Sequence, residues 1–333
     1  MLIFLNIGKG REYLKVLIYG AGVIGSIFAG KLAVAGFDVT VLARGKRFDE
    51  LKNEGVVLVN PRTSKVEQAK INVINTLLPD DQYDYVMVTM QRTQVDGILS
   101  VLAQNCSKNI VFVVNTANGY DKWVTAVGKD RLMIGFPSAG GERKDGRVYY
   151  FIGSGIQRIF QTTTFGEYSG KKTKRVDDLI RIFNQSKIPS VFCKEMDAWQ
   201  KTHVSLVTNI ANALYGFDCN NYKLGRSHKA VTLMIRGIQE GRKVLRKNGI
   251  TPTPRKLFWL DLPAPILALF FSLFMRTSLA ETTMAKHCAV AVSEMIVLQQ
   301  EFDEMILKSG IGTPAIDQLK KNLQMNNLRI SPN

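Results

Sequence analysis

Apolar residues in the first 190 positions fall in short unbroken runs separated by glycine and polar stretches. "LKVLIY" (14–19), "DVTVLA" (38–43), "VVLV" (56–59), "INVIN" (71–75), "DYVMVT" (84–89), "NIVFVV" (109–114) and "LMIGF" (132–136) are such runs. Their length and their lack of alternation predict strands covered on both faces. "VIGSIFAGKLAVA" (23–35), closed by Gly36, predicts an apolar helix between the first two. With helical segments between several of the others, this is a βαβ series. It implies a mostly parallel sheet with right-handed crossovers. "RVYYFI" (147–152), "QRIFQ" (157–161) and "TTTFGEY" (162–168) are expected to be antiparallel strands joined by glycine turns. One more helix (174–186) and one more strand (190–194) follow. From 195 onward the pattern is helical, with long segments at about 195–216, 227–248 and 277–308. Gly249 and Gly310 are expected C-caps, and Thr313-Pro314 opens a last helix. The fold class expected is α/β: a doubly wound sheet over residues 1–190, then an all-helical domain over 191–333. Residues 1–13 are expected to form a loose arm.

The turn after the first run carries the most specific chemistry. "YGAGVIGS" spells G-x-G-x-x-G at Gly20, Gly22 and Gly25, directly after a buried strand and at the start of a helix. Gly20 would allow the tight turn, Gly22 a close backbone approach to a pyrophosphate, and Gly25 close helix–strand packing. Ala21, Val23 and Ile24 complete the turn, where free N–H groups face the phosphates. The first domain is therefore expected to be of the Rossmann type. An acid that would bind the ribose hydroxyls of NAD is missing between Val39 and Arg47; "VTVLARGKR" offers Arg44, Lys46 and Arg47 instead. A guanidinium grips a 2′-phosphate dianion through parallel charged hydrogen bonds. NADP(H) is the expected cofactor, with Arg44 as the phosphate ligand and Lys46 or Arg47 in support. A solvated basic turn is the alternative.

Composition narrows the partners. A length of 333 residues suits two domains. The formal charge of +16 is spread along the chain ("KGREYLK", "GKKTKR", "RKVLRK") without a basic stripe interleaved with aromatics. A basic surface with one anion site is expected, and no nucleic-acid partner. Cys106, Cys193, Cys219 and Cys288 form no CxxC pair, which fits a reduced cytoplasmic protein. His203, His228 and His287 lack ligand spacing, so no metal is expected. "MLIFLNI" is too short for a signal-peptide core. "LPAPILALFFSLFM" (262–275) is free of proline only from Ile266 to Met275, short of the ~20 residues a bilayer span needs. A buried helix, or one covered in a homodimer, is expected there rather than a membrane contact.

In "MDAWQKTHVSLVTNIANAL" (196–214), Val204, Leu206, Val207, Ile210 and Leu214 mark a packed helix. Lys201, Ser205 and Asn209 recur every fourth residue along one polar stripe. An ammonium among apolar neighbours costs desolvation energy unless it reaches a cleft. There it can give a proton, or a charged hydrogen bond, to a carbonyl oxygen; a lysine snorkelling to water is the alternative.

At this point the chain resembles the ketopantoate reductase (2-dehydropantoate 2-reductase) family from about residue 15 to 325. "GAGVIGS" and "LARG" look like its NADP fingerprint, and "NTANGYD" (115–121) is similar to its "QNG" turn. "GFPSAGGERKDGRVYYFIG", "AWQKTHVSLVTNIANAL" and "VSEMIVLQQEFDEMILKSGIGTP" resemble its domain crossing, catalytic helix and late helix. The resemblance implies NADPH-dependent reduction of a 2-oxo acid to the 2-hydroxy acid, ketopantoate in the best-known members, a step of pantothenate biosynthesis. It places Lys201 as general acid, Glu294 as the substrate-site carboxylate, Asn118 at the nicotinamide end of the cleft and Asn209 on the substrate. Without the family, Glu294 reads equally as a surface helix acid. The chain departs from the family at Gln91, where many relatives have lysine, with Gln94 matching and Arg92 as a substitute charge. It departs again at Ser205, an asparagine in well-known members, and at Thr282 or Thr283 in place of a serine. The apolar stretch 255–283 suggests a paralogue acting on a more apolar keto substrate, and a non-catalytic NADP(H)-binding redox sensor is the reading from another class.

Overall fold

The computed structural model describes residues 14–153 and 162–330, with side chains to residue 327. The expected arm (1–13) and the expected strand at 157–161 lie outside the described residues. Twelve strands are described: β1 Lys15–Tyr19, β2 Asp38–Leu42, β3 Val56–Val59, β4 Val66–Ala69, β5 Asn72–Ile74, β6 Tyr85–Val88, β7 Ile110–Val113, β8 Leu132–Phe136, β9 Ala139–Lys144, β10 Arg147–Ile152, β11 Thr163–Glu167 and β12 Ser190–Phe192. Eight of them form the main sheet, in the order β12-β11-β8-β7-β6-β1-β2-β5. Every pair is parallel except β11 with β8. The central strands are buried along nearly their whole length, as unbroken apolar runs require.

A second sheet, β4-β3-β10-β9, was not expected. It takes "VVLV" out of the parallel series and separates "RVYYFI" (β10) from "TTTFGEY" (β11), which pairs with β8 instead. The sheet lies over the helix Val23–Val34, which is thereby covered on both sides. A Cβ on Gly30 would come within 2.8 Å of Leu58, so glycine sets this close approach. Lys31, buried in the same layer, donates to Glu67 at 2.5 Å and to the Tyr150 hydroxyl at 2.8 Å. A fully apolar run is buried in either sheet, so periodicity says nothing about which one it joins.

After β12 the chain is helical: Met196–Tyr215, Asn221–Arg226, His228–Lys247, Ala264–Met275, Val292–Ser309 and Pro314–Ile330. Gly249 (φ +75) and Gly310 (φ +67) adopt the left-handed conformation just past helix ends. The expected helix 277–308 is broken. A wide π turn spans Glu281–Ala285, and Ala291 (φ −112) leaves the helical region. Thr282 and Thr283 donate their hydroxyls to the carbonyls of Ser278 and Leu279, back-bonding that bends helices. The 262–275 stretch is also not a fully buried helix. Leu267, Ala268 and Met275 face the core, while Ile266, Leu269, Phe270 and Leu273 face outward.

Candidate functional site

From β1 the chain runs to β2 and β5 on one side of the sheet, then returns to β6, β7 and β8 on the other. That reversal leaves a crevice over the carboxyl ends of β1 and β6, the ligand position of open α/β sheets. Gly20 (φ +120) makes the turn there, and the Thr89 hydroxyl at the end of β6 donates to its carbonyl at 2.9 Å. A Cβ on Gly25 would lie 1.9 Å from the Gly20 oxygen, so helix and turn pack with no room for a side chain. A Cβ on Gly22 would meet nothing within 4 Å. Gly22 is also the N-cap of Val23–Val34, whose start has no side-chain cap and no acid in its first turn. Uncapped N–H groups beside open space are what an anionic pyrophosphate requires. A dinucleotide therefore fits the turn formed by Gly20, Ala21, Gly22, Val23, Ile24 and Gly25.

The basic turn after β2 divides into two roles. Arg44 is exposed, and its guanidinium hydrogen-bonds the hydroxyl of Tyr19, the last residue of β1. Burial raises that hydroxyl's pKa, and the neighbouring cation opposes the rise. Arg47 instead points inward. It donates to the Ser26 hydroxyl (2.9 Å), the Gly146 carbonyl (2.9 Å) and Glu50 (3.0 Å), and burial lowers its pKa. It braces two helices against the second sheet, which takes it away from the supporting phosphate role expected of it. Lys46 remains exposed, 4.0 Å from Glu50.

The helical part closes over the loops that follow β6 and β7. Gln91 is exposed at the N-cap of the short helix Arg92–Val95. Arg92 donates from Nε to Glu301 (2.8 Å) and from Nη1 to Asp96 (3.0 Å). The second oxygen of Glu301 accepts from the Thr116 hydroxyl (2.9 Å) and the Ala117 amide (2.7 Å). Glu294, one heptad earlier on the same helix, accepts from the Arg92 amide at 3.3 Å, and burial raises its carboxyl pKa. Asn118 is exposed at the tip of the β7 loop, its amide held by the Thr116 hydroxyl at 3.1 Å.

Lys201 reaches the same place from Met196–Tyr215. Gln200 docks that helix on the sheet, donating to the Val114 carbonyl (2.8 Å) while accepting from the Tyr120 hydroxyl (2.9 Å). The Lys201 ammonium pairs with Asp197 at 2.6 Å and is 16% exposed. An Asp197 oxygen lies 3.8 Å from where a Gly119 Cβ would be, which sets the pair beside the Asn118 loop. Glu294, expected to hold Lys201 or a substrate hydroxyl, accepts from the Arg92 amide, and Asp197 pairs with the lysine. Ser205 and Asn209 pack against the helix His228–Lys247, at Gly241 and Gly237, where a Cβ would fall 2.1 and 2.3 Å from their oxygens. The Ser205 hydroxyl and the Asn209 amide oxygen are buried without a partner, as are the Asn115 amide oxygen and the Ser138 hydroxyl beyond β7 and β8.

Asp197, Gln200 and Glu301 were missed by sequence reading. Asp197 could have been found from its i,i+4 spacing to Lys201, and Glu301 from the heptad that puts it on the face of Glu294. His203 is another residue with a perturbed environment. It stacks on Trp199 (5.6 Å) and tilts onto Phe136 (4.4 Å), and burial, then the nearby His287, lowers its pKa from 6.5 to about 4. The folded state thus holds it neutral, while the unfolded chain binds a proton below 6.5. Stability is therefore expected to fall as pH drops from about 6.5 to about 4, with no contribution from this group above that window. Urea midpoints at pH 7 and pH 5 check this; His203→Gln should flatten the difference.

An uncapped glycine turn at the switch point, roofed by a helical region that brings in a lysine, defines a fold of the Rossmann class. Residues 16–169 match the family model for ketopantoate reductase PanE/ApbA. The chain is 25% identical over 245 residues to the 2-dehydropantoate 2-reductase of Pyrococcus horikoshii, covering 71% of this chain and 75% of that one. A structure of D-mandelate dehydrogenase with NADH and anilino(oxo)acetate superposes with a TM-score of 0.75 at 18% identity, over 94% of this chain and 98% of that one. A putative ketopantoate reductase from Ralstonia solanacearum gives 0.74 at 14% identity, over 95% and 98%. Over residues 16–169 the chain is thus similar to the ketopantoate reductase family, and over most of its length it is similar to proteins named 2-dehydropantoate 2-reductase.

Proposed function

We propose that this chain reduces a 2-oxo acid to the 2-hydroxy acid with NADPH, 2-dehydropantoate being the first substrate to test. The observation that carries the reading is the convergence of Lys201, Asn118 and Glu294 on the loops of β6 and β7, beside the uncapped Gly22 turn. The reduced nicotinamide supplies the hydride when bound. Lys201 donates a proton to the carbonyl oxygen as negative charge develops there, acting both electrostatically and as general acid. Asp197 holds the ammonium in place through its 2.6 Å ion pair. Glu294, kept toward its protonated form by burial, can donate to a substrate oxygen. Gln91 and Asn118 flank the nucleotide. Ser205 and Asn209, one and two turns beyond the lysine, are buried against Gly241 and Gly237 and pack the lysine helix in place.

A second reading, reduction of a bulkier apolar 2-oxo acid, is suggested by the apolar composition of 255–283. Ketopantoate and aryl 2-oxo acids, compared by loss of reduced-nicotinamide absorbance, separate the two readings. Absence of turnover with every 2-oxo acid tested would leave the redox-sensor reading standing. Arg44→Ala should raise the Kd for NADPH about tenfold or more, the cost of one charge-assisted contact, and leave NADH nearly unchanged. An equal effect on both nucleotides would remove Arg44 from the 2′-phosphate.

A further inference from the structure

The outer face of Ala264–Met275 and the turn before it form a continuous apolar surface. Phe258 is 73% exposed and Phe270 64%, and Leu262, Ile266, Leu269 and Leu273 are each at least half exposed. Isolated apolar side chains on a surface need no explanation, but six adjoining ones mark a site of contact. Cations rim this face. Arg255 and Arg276 stand at its two ends, both exposed. The helix Asn221–Arg226 packs against the inner side of Ala264–Met275, with Gly225 against Arg276, Ser272 and Met275, and presents exposed Lys223 and Arg226.

Acids are kept away. None occurs from Leu262 to Ala280. At one edge Asp261 is engaged by Arg242 through two 2.9 Å contacts and by Arg246, and Arg242 foremost holds its carboxyl down to about 2; at the other, Glu281 accepts from the Tyr222 hydroxyl at 2.9 Å. The face therefore presents an apolar centre with exposed arginines and lysines around it.

Two occupants suit such a face to different degrees. A second copy in a two-fold dimer would set the patch against itself, bringing Arg255, Arg276, Lys223 and Arg226 toward their own duplicates. An anionic lipid surface meets both features at once, with acyl chains for the centre and headgroups for the rim. No single described helix is long and apolar enough to cross a membrane. The turn Arg255–Asp261 and the helix Ala264–Met275 meet at 111°, so the pair presents one broad face rather than a rod. We propose that this face seats the protein on an anionic membrane surface, lying parallel to it without spanning it.

The test is co-sedimentation of the full chain with phosphatidylcholine vesicles, with and without phosphatidylserine. The protein is expected to pellet with the serine-containing vesicles at low salt and to be released as salt rises. Leu269→Ser with Phe270→Ser should lower the partition coefficient at least about tenfold. Arg255→Gln with Arg276→Gln should lower it roughly thirtyfold, and only for the anionic vesicles. All four side chains are exposed or at the rim, so circular dichroism should show unchanged folding. The proposal fails if the protein stays in the supernatant with anionic vesicles at low salt, or binds neutral ones equally well. It also fails if light scattering finds a dimer that Leu269→Ser with Phe270→Ser dissociates.

Discussion

Lys201→Ala is expected to lower kcat for the 2-oxo acid substrate by about 10²–10⁴-fold while leaving the Kd for NADPH nearly unchanged. That range equals about 3–5 kcal/mol of transition-state stabilisation. The size follows from what the ammonium replaces. Charge builds on a carbonyl oxygen in a cleft where water is scarce, and a fixed cation there costs no reorganisation when the reaction occurs. The fold should not confuse the result. The Lys201–Asp197 contact is an i,i+4 helix pair with Asp197 45% exposed, and such pairs contribute only about 0.3–0.5 kcal/mol. Urea midpoints of the variant should therefore match those of the parent within about 0.5 kcal/mol. Asp197→Asn gives the complementary result, a smaller fall in kcat, because the ammonium stays but loses its anchor. Near-normal turnover in Lys201→Ala would take the lysine out of the chemistry.

The sequence made the nucleotide end of the site legible because three local constraints coincide there. A buried strand, glycines at fixed spacing and a helix start can be read without knowing what lies elsewhere in the chain. The exposed position of Arg44 was legible for the same reason, as a charge at a fixed distance from that strand. Arg47 was not, since its inward turn depends on Ser26 and on Gly146, a residue 99 positions away. The small sheet was hidden in the same way: "VVLV" carries no mark of its partners, and the strand beside it, β10, begins only at Arg147. In the helical half the spacing of Lys201, Ser205 and Asn209 was visible, but not that Gly237 and Gly241 lie against the last two. Side chains that join distant segments, Gln200 to Val114 or Glu301 to Thr116, have no local signature beyond being polar on an apolar helix. These residues assemble the crevice.

Glu301 is where that assembly is most exposed to mutation. Its carboxylate is buried and accepts hydrogen bonds from Arg92, Thr116 and Ala117, so one side chain ties the loops of β6 and β7 to the helix Val292–Ser309. Glu301→Ala removes the common acceptor, leaving the Ala117 amide and the Arg92 guanidinium without it in a water-poor region. Loss of one partner from a buried charged network costs about 3–5 kcal/mol, most of it the cost of the groups left behind. The loops carrying Gln91 and Asn118 should loosen as well, raising the KM for NADPH and speeding amide exchange over 90–118. Glu301→Gln should fall between parent and alanine variant, because an amide oxygen still accepts from Ala117 but carries no charge for Arg92. Chemical denaturation of the three proteins, with hydrogen exchange on the same samples, measures both effects. If Glu301→Ala unfolds within about 0.5 kcal/mol of the parent and its loops exchange at the parental rate, the carboxylate does not tie those loops to the helix Val292–Ser309.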